Sequence, residues 1–200
     1  MAKANWVKVN PSIGSGNANV NVSSTAKHTG RKARTTTLTW KAANVTDVVR
    51  SVSQAGKPEY VDIADSASSE QTGKVVTISG VSNSAKLTFS LGTGDLSISL
   101  PTSYIANSVT TNNGATISGD PGATQAYNFS ISINVPANTG TSAKSRQIIV
   151  TDSAGHQDVC ELTLAAGDAY ITIAEGTIEL DYLGTPVTVE VKSNTNWTIE

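Results

Sequence analysis

The stretch TDSAGHQDV (151–159) holds residue types suited to nucleophilic hydrolysis: Asp152, Ser153, His156 and Asp158. A Ser-His-Asp triad needs the serine oxygen on one imidazole nitrogen and a carboxylate on the other. Here Asp-Ser-Ala-Gly separates two alternating apolar runs, where it supplies what a hairpin turn requires, and a turn is the expected role. His28 and His156 are far apart, with no cysteine or carboxylate at metal-ligand spacing. Asp62, Asp65 and Glu70, or Asp152 and Asp158, offer oxygens to Ca²⁺, but the glycine and spacing of a Ca²⁺ loop are missing. GSG (14–16) and GTG (92–94) neither precede a helix nor carry the lysine of a nucleotide-binding loop. These residues assign no catalytic group, metal or cofactor, and the chain is expected to be non-enzymatic.

Binding chemistry has two candidates. Lys27, His28, Arg31, Lys32 and Arg34 cluster on a predicted hairpin loop. They form either a solvated tip or a contact for an acidic protein surface, since charge steers docking and sets register. Nucleic acid is disfavoured because no aromatics interleave the cluster. For a sugar face, Tyr104 in the long 101–122 segment and Tyr182 are the candidate stacking groups. Trp6, Trp40 and Trp197 are expected in the core, Trp40 because it shares a face with Leu38.

The elements that must carry these residues are strands. Only 5% of the 200 residues are aromatic and 15% charged, with Ser, Thr, Asn, Gly and Val in excess. That mix suits short strands and polar turns. A net charge of −2 sets up no global attraction to nucleic acid or anionic membrane. The single cysteine, Cys160, excludes an internal disulfide. MAKANWVKVN has no signal-peptide apolar run, and no stretch reaches the roughly 18 apolar residues of a membrane span. Synthesis in a cytosol without export is the expectation.

Strands are predicted at 60–64, 74–81, 86–91, 95–100, 127–135, 146–151, 158–164, 169–174, 177–183 and 186–191. In the fifth, Tyr127, Phe129, Ile131, Ile133 and Val135 share one face. TDVVRSV (46–52) suits a helix or a bulged strand. Displaced by about 110 residues, the chain matches itself. EYVDIAD (59–65) lies on AYITIAE (169–175), and GKVVTISGVSN (73–83) on GTPVTVEVKSN (184–194) after one gap. STAKHTGRKARTTTLTW (24–40) lies on VPANTGTSAKSRQIIV (135–150) with one gap, and SQAGK (53–57) on TLAAG (163–167). Residues 58–167 therefore form one complete unit, expected to be an immunoglobulin-like β-sandwich. Residues 1–57 match only its second half, and 168–200 only its first. Half a sandwich exposes an apolar face, so the protein is expected to continue past residue 200. The expected class is all-β: tandem sandwiches, the first and last incomplete.

Read in the order SNTNWTIE (193–200), then 5–40, then VRSVSQAGK (49–57), the chain resembles one BACON domain. The resembling features are the Ser-Asn-x-x-Trp strand, the Pro-Ser-x-Gly-x-Gly turn, the Thr-Gly-x-x-x-Arg hairpin and the closing Val-x-Gln-Ala-Gly. The middle unit departs from the pattern, with Lys86 in the place of Trp197 and Leu164 in that of Gln54. Such β-sandwich modules occur in Bacteroides proteins and in crAss-like phages of Bacteroidales. The resemblance implies a virion protein, a capsid-attached head fibre or decoration anchored by residues 1–57 and forming a homo-oligomer with capsid or other virion partners. It alternatively implies a carbohydrate-binding module that holds host-surface or mucin glycans. It supplies no catalytic residue.

Overall fold

Alternation of apolar and polar residues makes this chain a set of half-buried strands. The computed structural model, which describes residues 3–174 and 176–200, is accordingly all-β. The central segment holds two facing sheets. One has five strands in the order β10-β9-β11-β7-β5. Its members are β5 (Val61–Ile63), β7 (Lys74–Ser82), β9 (Ser103–Ala106), β10 (Val109–Asn112) and β11 (Tyr127–Val135). The other runs β6-β13-β12-β8, made of β6 (Ser66–Ser69), β8 (Leu87–Gly94), β12 (Lys144–Asp152) and β13 (Gln157–Leu164). Pairing is antiparallel except where β6 lies parallel to β13. A 3-10 turn (Pro121–Ala123) precedes β11.

Period two decides which way each side chain points. Along β11, Tyr127, Phe129, Ile131, Ile133 and Val135 are buried while the residues between them face outward. Its register on β7 sets Ile131 against Ile78 and Ile133 against Val76. These meet Leu87, Phe89, Ile148, Val150, Leu162 and Leu164 of the second sheet in one core. Phe129 meets Phe89 edge-on at 5.9 Å, and Phe89 lies 5.0 Å from Tyr104. Opposite Phe129 on β7 stands Gly80. A Cβ there would come within 2.3 Å of Phe129 Cζ, so only glycine leaves room for the ring.

Cys160 is fully buried in this core. Burial, then the charges of Asp65, Glu161 and Asp158, pushes its thiol up to about 11. The reactive species is the thiolate, so the native protein at pH 8 should resist iodoacetamide and label fully in denaturant. Rapid native labelling, read by intact mass, would contradict this placement.

The flanking segments carry smaller sheets. β1 (Val7–Asn10) pairs with β2 (Asn21–Ser24), and β3 (Arg34–Trp40) with β4 (Val48–Gln54). After the centre, β14 (Ile171–Ile173) pairs with β15 (Val191–Ser193). Hairpin register recurs along the chain. β3–β4 sets Arg34 against Gln54 and Trp40 against Val48, while β12–β13 sets Lys144 against Leu164 and Val150 against Asp158. The displacement is about 110 residues, that of the sequence repeat. β5–β7 and β14–β15 are related the same way, Val61 facing Ser82 in one and Ile171 facing Ser193 in the other.

Several local expectations are corrected. Of 46–52, expected as helix or bulged strand, residues 48–52 lie in β4 and pair with β3 without a register shift. Residues 95–100 form no ladder, although Leu96 is buried and Ile98 and Leu100 pack on the core. The 101–122 segment contains the β9–β10 hairpin. Residues 177–183 are not strand, and of 186–191 only Val191 is. Their counterparts in the centre, β6 and β7, are held by β13 and β11. A strand forms where its backbone groups find a partner, and these find none within their own segment. Trp40 is 41% exposed and Trp197 also stands largely open, against the expectation of a core place. Trp6 is half-buried, with the Arg34 guanidinium 4.6 Å above its ring.

Candidate functional site

The most densely bonded polar residues lie where the segments meet. Asn83, fully buried, follows the last residue of β7. Its side-chain oxygen accepts from the Tyr60 N–H at 3.0 Å. Its Nδ2 donates to the carbonyls of Thr29 and Lys57 at 3.2 Å and of Pro58 at 3.3 Å. One amide thus ties the N-terminal segment, the linker and the central sheet together. Beside it, Ser82 Oγ donates to Tyr60 O at 2.7 Å, and the Lys57 N–H donates to Gly30 O at 2.9 Å.

The same joint recurs at the other end of the central sandwich. Asn194 accepts from the Tyr170 N–H at 3.0 Å and donates to Thr139 O at 2.8 Å and Asp168 O at 2.9 Å. Ser193 Oγ donates to Tyr170 O at 2.9 Å, and the Gly167 N–H donates to Gly140 O at 2.7 Å. Each partner is the repeat counterpart of one at the first joint. Ser82-Asn83 matches Ser193-Asn194 in the repeat and Thr29-Gly30 matches Thr139-Gly140, a match at strand ends and turns rather than in the apolar alternation.

Four of the five basic-cluster residues make contacts within the chain at or near the first joint. Arg31 Nη2 donates to both Asp120 oxygens at 2.5 Å and Nη1 to Asn83 O at 2.9 Å, leaving its side chain 15% exposed. The backbone follows: Arg31 N–H donates to Gly122 O at 2.9 Å and Lys32 N–H to Ala123 O at 3.1 Å. This approach needs Gly122, since a Cβ there would sit 2.1 Å from Asn83 O. Arg34 donates to Gln54 Oε1 at 2.9 and 2.6 Å. His28 Nε2 lies 2.7 Å from Lys32 O, bracing the turn as Asn138 does by donating to Ser142 O at 2.8 Å. Lys32 Nζ is 3.7 Å from Asp120, and Lys27 is exposed. Arg31 and Arg34 are therefore corrected from docking groups to internal ties, because carboxylate and amide oxygens of the same chain already occupy them.

Tyr104 is corrected as well. Its ring is 3% exposed against Phe89, so neither face is free for a sugar. Burial raises its phenol above the ordinary range. Tyr182, by contrast, is 95% exposed on a turn braced by Asp181, which accepts from the Leu183 and Thr185 N–H groups at 3.0 and 2.9 Å. Those bonds, led by the Thr185 hydroxyl, hold the Asp181 carboxyl below its usual range.

In the 151–159 stretch, residues 153–156 form the turn between β12 and β13. Asp152 accepts from the Ala154 and His156 N–H groups and its second oxygen lies 2.8 Å from His156 Nδ1. Ser153 Oγ turns instead to Glu59, and Asp158 accepts from the Ile63 N–H at 2.7 Å. Among the described residues no group of three His, Cys, Asp or Glu side chains gathers as metal ligands, and no helix is long and apolar enough to cross a membrane. What this arrangement does chemically is hydrogen-bond the backbone of one segment to the next. No family model matches this chain, and no curated protein matches it.

Proposed function

We propose that this chain is a non-enzymatic structural protein of a phage virion, a capsid-attached head fibre or decoration protein. Its N-terminal region anchors it, and tandem immunoglobulin-like sandwiches of BACON type project from there. The observation that carries this reading is the repeated joint, with Asn83 and Asn194 bonding to equivalent partners. A linker free of such bonds behaves as a flexible tether. A buried amide holding three chain segments fixes the angle between successive units, which suits a projecting rod and serves no catalytic purpose.

The experiment is mass spectrometry and antibody labelling of gradient-purified particles of the phage whose genome encodes the chain. The expected result is co-purification with capsid protein and label on the particle exterior. Recovery only among free proteins of the lysate would overturn the proposal. A second reading, a carbohydrate-binding module, rests on the exposed Tyr182 ring. Retention on immobilised mucin that Tyr182→Ala abolishes would favour it.

A further inference from the structure

An exposed strand edge invites pairing with another chain, and the central sandwich covers most of its edges from within. On one side β5 and β6 are three and four residues long, formed by one run of chain that passes from the first sheet to the second. There Asp158 takes the Ile63 N–H at 2.7 Å. On the other side residues 113–117 cover the edge of β8. Asn113 acts as a short strand: its side-chain oxygen accepts from the Phe89 N–H at 2.8 Å and its Nδ2 donates to Phe89 O at 3.0 Å. The Gly114 and Ile117 N–H groups donate to Leu87 O and Ala85 O at 3.0 and 2.9 Å.

The edge of β10 (VTTN) has no such cover. Its direction is fixed by the Asn107-Ser108 turn, with φ of 48° and 65°, the left-handed pair of a two-residue hairpin. Such a turn bonds Val109 to Ala106 and Thr111 to Tyr104, so the N–H and C=O of Thr110 between them point away from β9. Among the described residues no hydrogen bond reaches either group. Thr110 and Asn112 are exposed. The strand holds no proline, charge or register shift, the usual guards of an edge. β10 belongs to the complete unit 58–167, and that unit's own strands set its surroundings.

The occupant that fits this edge is a second copy of it. Two β10 strands related by a two-fold axis at Thr110 run antiparallel. Thr110 then faces Thr110 of the other copy, Val109 faces Thr111 and Ser108 faces Asn112. A Thr–Thr pair stabilises a sheet, whereas like charges directly opposite destabilise it. No charges meet in this register. The outward row continuing inward from Thr110 is Ile105, Ser130 and Ser79, also uncharged, in a chain with 14 basic and 16 acidic residues.

We propose that the chain self-associates through β10, joining the five-stranded sheets of two copies edge to edge across a two-fold axis. The pairing holds whether or not the chain belongs to a virion. It gives the Thr110 N–H and C=O partners and leaves the core of each sandwich as it is. The edge is four residues long, so the contact is small and reversible, at the low end of specific interfaces.

The test is sedimentation of the 200-residue chain over a range of concentrations, with hydrogen exchange read at β10. The chain should pass from monomer to dimer as concentration rises, and the Thr110 amide should exchange more slowly in step with the dimer fraction. Thr110→Lys sets two ammonium groups against each other at the axis and should raise the dissociation constant at least about tenfold. Thr110→Pro removes the N–H without entering the core and should do the same. Both variants should melt with the unmodified chain, because Thr110 is exposed. A chain still monomeric at about 1 mM overturns the proposal. So does a dimer that either variant leaves intact, which would place the contact on another surface.

Discussion

Asn83→Ala should lower stability by about 2–4 kcal/mol and loosen the hold of the N-terminal segment on the central sandwich. The substitution removes an acceptor for Tyr60 N–H and a donor for three carbonyls. A buried polar group left without a partner costs about 1–3 kcal/mol, and several lose theirs at once. Thr29 and Lys57 are exposed and can turn to water, which limits the total. Two measurements read the effect. Urea denaturation gives the loss in stability. Small-angle scattering gives the interdomain effect, as a broadened distance distribution in place of one defined shape. Asn194→Ala should cost less, about 1–2 kcal/mol, because Asn194 is only half-buried. Equal stability of the Asn83→Ala chain and the unmodified protein would refute the joint as a mechanical element.

The second large effect lies in the core. Phe129→Ala should destabilise the central sandwich by about 3–5 kcal/mol, the transfer term of the ring plus the cavity it leaves. Phe129 is 2% exposed and its ring packs edge-on to Phe89. Its neighbour makes the prediction sharper. Gly80→Ala alone drives a Cβ into the Phe129 ring and should cost about 1–3 kcal/mol as overpacking. In the Phe129→Ala background that clash with the ring disappears, so the two costs should be sub-additive. The Asp62 carbonyl, 2.4 Å from the same Cβ, keeps part of the cost in place. A double-mutant cycle in thermal or urea unfolding measures the coupling. Strict additivity would mean that the ring and the glycine do not share space as described.

Much of this was legible in the sequence, for a local reason. Strand alternation is written in adjacent residues, so β7, β11, β12 and β13 fall where period two places them. The repeat was legible too, since aligned residues such as Thr29-Gly30 and Thr139-Gly140 occupy equivalent bonded positions. The candidate binding residues fared differently. Nothing beside Tyr104 says that Phe89 covers its ring, and nothing beside Arg31 says that Asp120 awaits it. The exposed-looking basic tip became an internal tie because its acceptor lies elsewhere in the chain.

The same division explains the flanking segments. Residues 177–183 and 186–191 have strand composition, yet a strand also needs a neighbour for its backbone groups, and composition cannot supply one. The sequence by itself determined the all-β class and the alternation along single strands, because these depend on residues close in the chain. Only the tertiary structure decided which apolar faces are covered, which charges are already satisfied and how Asn83 and Asn194 lock one segment to the next. Those outcomes depend on groups brought together across 25 to 90 residues of chain.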